Sequence, residues 1–207
     1  MHRRNLLLGA AAPLILARPG LASASRPAPP APRRLVLRHA ATGARFTGIY
    51  HNGLSVDPGA LAEISAVLAD SRTGTVQGFD PSVLDILWET GQRARARGEF
   101  LVVSGFRTPE TNAAVCGAGN SQHLRAGALD VCVSAAQLAS FGEAALGLRR
   151  GGVGVYAAKS FIHLDSGPVR RWGDVPGGSS GSSGTPTPVV PDRLSRIADA
   201  WASARLP

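Results

Sequence analysis

The chain is expected to fold as an α+β domain, a small antiparallel sheet with helices packed on it. Short runs dense in apolar and β-branched residues, among them Phe100-Leu-Val-Val-Ser104 and Leu129-Asp-Val-Cys-Val133, have the character of buried strands. Longer stretches between them carry apolar residues at helical spacing. Two of these open on Asp-Pro, a pair that caps a helix and starts it. Low-complexity segments bracket residues 33–173, which contain no internal repeat and are long enough for one hydrophobic core.

In chain order, residues 35–39 and 45–50 flank a Thr-Gly turn and read as a β-hairpin. Asp57-Pro58 opens a helix with Leu61, Ile64 and Leu68 on one side. Asp80-Pro81 opens a second, with Val83, Leu84 and Leu87 facing inward and Gly98 as its stop. A strand at 100–104 is followed by a short helix carrying Glu110, and a second buried strand spans 129–133. Ser134 and Gln137 have the spacing of a capping box for a helix presenting Leu138, Phe141 and Leu148. Strands at 152–156 and 161–165 complete the domain.

The two ends of the chain read differently. Met1-His-Arg-Arg-Asn-Leu-Leu-Leu-Gly9 puts paired arginines before an apolar run that reaches Leu16 and is too short to cross a bilayer. Ala22-Ser-Ala24 then offers the small alternating residues that signal peptidase accepts. Residues 1–24 are therefore expected to be a twin-arginine signal peptide that delivers a folded protein to the periplasm. Residues 25–32 form a Pro/Ala linker and residues 174–190 a Gly/Ser/Pro linker. Residues 191–207 are a short helix, with Leu194, Ile197, Ala198 and Trp201 on one face, or a disordered tail.

Lys and Arg number 22 against 14 Asp and Glu, a formal charge of +8 that falls to 19 − 14 = +5 once Arg3, Arg4 and Arg18 leave with the signal. A charge of this size suits anionic polymers such as those of the cell wall. No nucleic-acid-binding pattern accompanies it, so nucleic acid is not an expected partner. No later apolar run has membrane-spanning length, and no stable insertion is expected after cleavage.

The chemistry concentrates in Ser121-Gln-His-Leu-Arg-Ala-Gly-Ala-Leu-Asp130 and Phe161-Ile-His-Leu-Asp165. His123, Asp130 and His163 make a three-ligand set for Zn2+ that leaves the fourth tetrahedral position to water. Strand alternation puts Phe161, His163 and Asp165 on one face. Asp130 lies on a strand entered directly from the loop that carries His123, so one loop and two strands can converge on one ion. Alone, His123 reads as a loop histidine and Asp130 as a strand-end carboxylate; their joint spacing is what points to a metal. A zinc centre of this kind supplies an activated water and polarises the carbonyl of a peptide bond.

Ser-x-His, six residues, Asp and a later strand His resembles the zinc peptidases that include D-alanyl-D-alanine carboxypeptidases and murein endopeptidases, whose fold the hedgehog signalling domain shares. His51-Asn-Gly53, Arg72-Thr-Gly74, Ser104-Gly-Phe-Arg-Thr-Pro-Glu-Thr-Asn112, Gly151-Gly-Val-Gly-Val-Tyr156 and Phe161-Ile-His-Leu-Asp165 resemble the twin-arginine-exported murein endopeptidase branch. The likeness covers about residues 33–173. It implies a zinc metallopeptidase domain that takes peptidoglycan peptides as substrate and hydrolyses their cross-links during wall remodelling. It also admits a D,D-carboxypeptidase that trims stem peptides, or a zinc-containing wall-binding module without turnover.

The resemblance implies that Arg107 binds substrate or stabilises the oxyanion; the alternative is a structural pair with Glu110. Two departures stand out. The family's Gly three residues after the first His is Ala126 here, with Gly127 following. The Glu that related carboxypeptidases place shortly before the last zinc His is missing from Ala157-Ala-Lys-Ser160. Asp165 is then the nearest acidic candidate for the general base, and equally a partner that orients the His163 imidazole. Ser121 is a candidate for bonding a substrate carboxylate or for fixing the His123 loop. Cys116 and Cys132, the two cysteines, are a candidate disulfide between the loop before the motif and the strand after it, with buried reduced thiols as the alternative.

Overall fold

A computed structural model describes residues 30–96 and 98–175. The expected signal at 1–24, residues 25–29 of the first expected linker, residues 176–190 of the second and the C-terminal segment 191–207 lie outside the described residues. The strands are β1 (Arg33–His39), β2 (Arg45–His51), β3 (Phe100–Ser104), β4 (Ala128–Cys132), β5 (Gly152–Tyr156), β6 (Phe161–Asp165) and β7 (Arg170–Gly173). The helices are α1 (Pro58–Val67), α2 (Pro81–Arg93), α3 (Pro109–Ala114) and α4 (Ala135–Leu148).

One sheet holds all these strands in the order β2-β1-β3-β4-β6-β5-β7. The α+β class is as expected, but the sheet is not purely antiparallel. β1 and β3 run parallel: β2 reverses the chain beside β1, and α1 and α2 then carry it from β2 round to β3 on the other side of β1. β7, which the sequence reading lacked, runs parallel to β5 on the edge that β6 leaves open.

Three helices start in the same way. Asp57, Asp80 and Thr108 each accept a hydrogen bond from a backbone N–H of the first turn, and each is followed by proline, whose fixed φ suits that turn. Ser134 stands at the N-cap of α4 without bonding the backbone through its side chain; its hydroxyl donates to Gln137 Oε1 instead, at 3.1 Å. α2 stops at Arg93, ahead of Gly98. Arg95 takes the left-handed position with φ +53°, and the Ala96 N–H closes back on the Gly91 carbonyl at 2.9 Å, so a Schellman-type stop forms without glycine.

Alternation along the strands gives the sheet two faces of opposite character. Leu129 and Val131 of β4, Ile162 and Leu164 of β6, and Val153 and Val155 of β5 join Val83, Leu84 and Leu87 of α2 and Phe141 of α4 in one buried cluster. Each fully buried aliphatic side chain contributes roughly 1.5–3 kcal/mol. The intervening residues, Asp130, His163, Asp165, Gly152, Gly154 and Tyr156, therefore face away from α2 and α4 on a floor that the core holds rigid.

Candidate metal centre

Asp130 and His163 lie directly opposite each other on antiparallel β4 and β6. His123 comes from a 3₁₀ turn, Gln122–Arg125, that Ser121 caps by accepting the His123 N–H at 3.3 Å. Ala126 closes this turn in the left-handed conformation, with φ +51°. Glycine takes this conformation freely, whereas alanine carries a strain of about 1–2 kcal/mol. The His123 carbonyl also accepts the Arg107 N–H at 3.1 Å, which ties the turn to the loop after β3.

Three donor atoms converge. His163 Nδ1 is 2.9 Å from Asp130 Oδ1, His123 Nε2 is 3.3 Å from the same oxygen, and the two ring nitrogens are 3.3 Å apart. All three residues are buried, at 2% exposure for His123, 3% for Asp130 and 8% for His163. Ligands about 2.0–2.1 Å from a tetrahedral ion stand about 3.3 Å from one another, so the spacing fits a shared cation.

The outer atoms decide which way the lone pairs point. His123 Nδ1 is 2.6 Å from the Gly105 carbonyl, which can only accept, so the proton sits on Nδ1 and the Nε2 lone pair faces the centre. His163 Nε2 is 2.8 Å from Asp165 Oδ2, which fixes its proton there and turns Nδ1 inward. Asp130 presents Oδ1 to both rings while Arg107 holds its Oδ2 at 2.5 Å. Every inward-facing donor thus has a partner behind it, the pattern that orients metal ligands.

Electrostatics prepare the same set. Burial favours neutral His123, and the Arg107 and His163 charges reinforce it against the pull of Asp130, so its pKa lies below the ordinary imidazole value. Burial would raise the Asp130 carboxyl, but His123 and Arg107 outweigh it and hold it well below the usual carboxylate range. Burial also opposes charge on His163, yet hydrogen bonds and charges from Asp130 and Asp165 lift its pKa above the ordinary value. A metal ion competes with a proton there, so its affinity falls as pH drops through that raised pKa.

The candidate residues fall into place as follows. Arg107 bonds Ser104 Oγ at 2.7 Å and Asp130, not Glu110, and is 6% exposed. Replacing it with alanine leaves a buried carboxylate without its partner. Arg107→Ala is expected to destabilise the metal-free protein by about 3–5 kcal/mol in urea denaturation, with part of the loss recovered when the metal ion takes over the charge. Asp165 lies on the outer side of the His163 ring, away from Asp130 and His123. No disulfide joins Cys116 and Cys132. Cys132 is buried opposite Leu101 near the start of β3. Cys116 is exposed beyond α3, which departs from the other end of β3.

Two residues of β7 had no place in the sequence reading. Arg170 reaches over β5 to bond Asp165 Oδ2 at 2.7 Å and Oδ1 at 3.1 Å. Trp172 lies against the His163 ring with centroids 5.1 Å apart. Both pass over glycine. A Cβ at Gly152 would collide with Asp165 and Arg170, and one at Gly154 would come within 2.5 Å of the Trp172 indole. Alternate glycines inside a strand are the signal that something large crosses close above it.

Two strands and a turn that bring His123, Asp130 and His163 together, each braced from behind, make a centre suited to a divalent metal ion. The chain belongs to the M15_2 peptidase family, described as peptidoglycan L,D-endopeptidase MepK, which it matches over residues 27–172. It is 33% identical over 149 residues to the probable peptidoglycan L,D-endopeptidase MepK of Haemophilus influenzae, covering 69% of this chain and 80% of that one. It is 31% identical over 182 residues to the peptidoglycan L,D-endopeptidase MepK of Escherichia coli K12, covering 83% of this chain and 97% of the relative.

Proposed function

We propose that this chain is a peptidoglycan endopeptidase that hydrolyses L,D-peptide bonds in wall cross-links, with zinc held by His123, Asp130 and His163. The observation that carries this reading is the triangle of two imidazole lone pairs and one carboxylate oxygen, each edge 2.9–3.3 Å long. Two nitrogens and one oxygen are a donor set that zinc accepts with a coordination position to spare. When bound, the ion supplies Lewis acidity to the substrate carbonyl and an activated water.

The rest falls to the protein. The Gly105 carbonyl and Asp165 hold protons on the outer ring nitrogens, and Arg107 balances the charge of Asp130 so that the carboxylate stays ionised and fixed. Ser121 fixes the turn that delivers His123. Asp165 serves to orient His163 and not as the general base. Its oxygens already accept from the Gly152 and Gly167 N–H groups, from Arg170 and from His163. Hydrolysis consumes one water and turns the amide into a carboxylate and an amine. The names of the relatives favour an endopeptidase over a D,D-carboxypeptidase. The reading of residues 1–24 as a twin-arginine signal places the enzyme in the periplasm, where its substrate lies.

Digestion of purified L,D-linked muropeptide dimers tests the proposal. Zinc-loaded protein is expected to split dimers into monomers, chelator to stop it and zinc to restore it. Loss of a single terminal residue with the dimer intact indicates a carboxypeptidase. Bound zinc with no product of either kind leaves the wall-binding module.

A further inference from the structure

Arg107 is committed to Ser104 and Asp130, and Asp165 to His163, Arg170 and two backbone N–H groups. Asp165 can only accept, and two of the five Arg107 N–H groups are spent inside the site, so a second donor beside the metal centre would strengthen the hold on a substrate carbonyl. We infer that the Tyr156 hydroxyl is that donor, bonding the carbonyl oxygen of the scissile peptide as it becomes an oxyanion, and that Trp172 positions it. The inference rests on the peptidase reading above.

Tyr156 ends β5 on the face that carries the metal centre. It pairs with Phe161, while Gly154, two residues earlier, pairs with His163. Its ring is stacked on Phe161, with centroids 4.4 Å apart and planes within 20°, which leaves the phenol little freedom to swing. Trp172, opposite Gly154 on β7, lies over that glycine against His163 and donates its indole N–H to the Tyr156 oxygen at 2.8 Å.

An indole N–H can only donate. The phenol oxygen is therefore the acceptor in this bond, and its own proton points elsewhere. Among the described residues no acceptor receives that proton. Tyr156 is partly exposed, so its O–H is open to a substrate group. Burial raises the phenol pKa, the indole bond and Arg107 lower it, Asp130 raises it, and the net shift is upward, which keeps the group a neutral donor. Accepting a hydrogen bond from Trp172 polarises the O–H and makes it a stronger donor. A fixed, neutral donor beside the metal site is the arrangement that stabilises charge developing only in the transition state.

This placement also explains the spacing from Gly154 to Tyr156 and onward to Trp172. Glycine makes the gap, the indole fills it, and the phenol two residues along takes its direction from the indole.

The test uses the full mature chain loaded with zinc, an L,D-linked muropeptide dimer and a phosphinate isostere of the same linkage. Tyr156→Phe is expected to lower kcat about 10²-fold, with KM and zinc affinity held within about threefold. It should weaken phosphinate binding by a factor similar to the loss in kcat/KM, since the tetrahedral analogue carries the oxyanion. Trp172→Phe keeps a ring against His163 but removes the N–H, and is expected to lower kcat about tenfold through loss of orientation alone. Parental kcat in Tyr156→Phe, or equal phosphinate binding by variant and parent, overturns the inference. So does loss of zinc together with activity, because the hydroxyl would then be structural. A zinc-loaded parent that leaves every dimer intact overturns the peptidase reading and this inference with it.

Discussion

His123→Ala is expected to emerge from dialysis with less than about a tenth of the parent's zinc, and to cleave muropeptide dimers at least about 10³-fold more slowly. A closed zinc site binds with roughly 10–16 kcal/mol shared over four ligands, so one ligand carries about 2.5–4 kcal/mol, or roughly 10²–10³ in affinity. With three protein ligands at the outset, the site lacks the redundancy to absorb that loss. The fold should survive, because alanine leaves the backbone of the turn and its Ser121 cap in place. Its backbone carbonyl still anchors the Arg107 N–H. Metal analysis together with a circular dichroism melt checks both halves. A variant that keeps stoichiometric zinc shows that the ion sits elsewhere.

Asp165→Asn separates two roles that make opposite predictions. An orienting partner acts through zinc affinity, so the variant should bind zinc about 10–100-fold more weakly and recover near-parental cleavage when zinc is supplied in excess. A general base acts in the chemical step, and its loss leaves a deficit of about 10²–10⁴ that no added zinc repairs. The geometry supports the first outcome. The Asp165 carboxylate meets His163 at Nε2, across the ring from the nitrogen that faces Asp130.

Acid stability gives a second readout on the same residue. Burial alone would raise the Asp165 pKa, but the hydrogen bond and charge of His163, the Arg170 charge and the Gly167 N–H bring it down to about 2. The unfolded value is about 3.9, so the contribution to stability is complete above about pH 4 and drains away as pH falls towards 2. In metal-free protein, Asp165→Asn should lose this part of the pH dependence.

The His123, Asp130 and His163 cluster was legible in the sequence because its determinants are local. Strand alternation places His163 and Asp165 together, and the loop-to-strand spacing carries His123 towards Asp130. Strand register is not local, and what depends on it was hidden. Arg107 looked like a free rim residue because nothing in the sequence shows that Ser104 lies opposite Asp130, which turns the guanidinium inward onto that carboxylate. The candidate disulfide fails for the same reason: pairing puts Cys132 beside Leu101, at the end of β3 remote from the departure of α3. The base-or-partner choice for Asp165 turns on which ring nitrogen it meets, a question of rotamer and not of strand face. β7 is a four-residue, largely exposed edge strand, too short and too polar for periodicity to reveal. Its signature lay in its neighbour, where Gly152 and Gly154 keep open the path that Arg170 and Trp172 take across the sheet.

The central claim is that His123 Nε2, His163 Nδ1 and Asp130 share one zinc ion. An anomalous difference map at the zinc edge, from crystals of the zinc-loaded chain, tests it most directly. The account predicts one strong peak about 2.0–2.2 Å from those two nitrogens and from an Asp130 oxygen. A peak held through His163 Nε2 and Asp165, or no peak among the three residues, would contradict it.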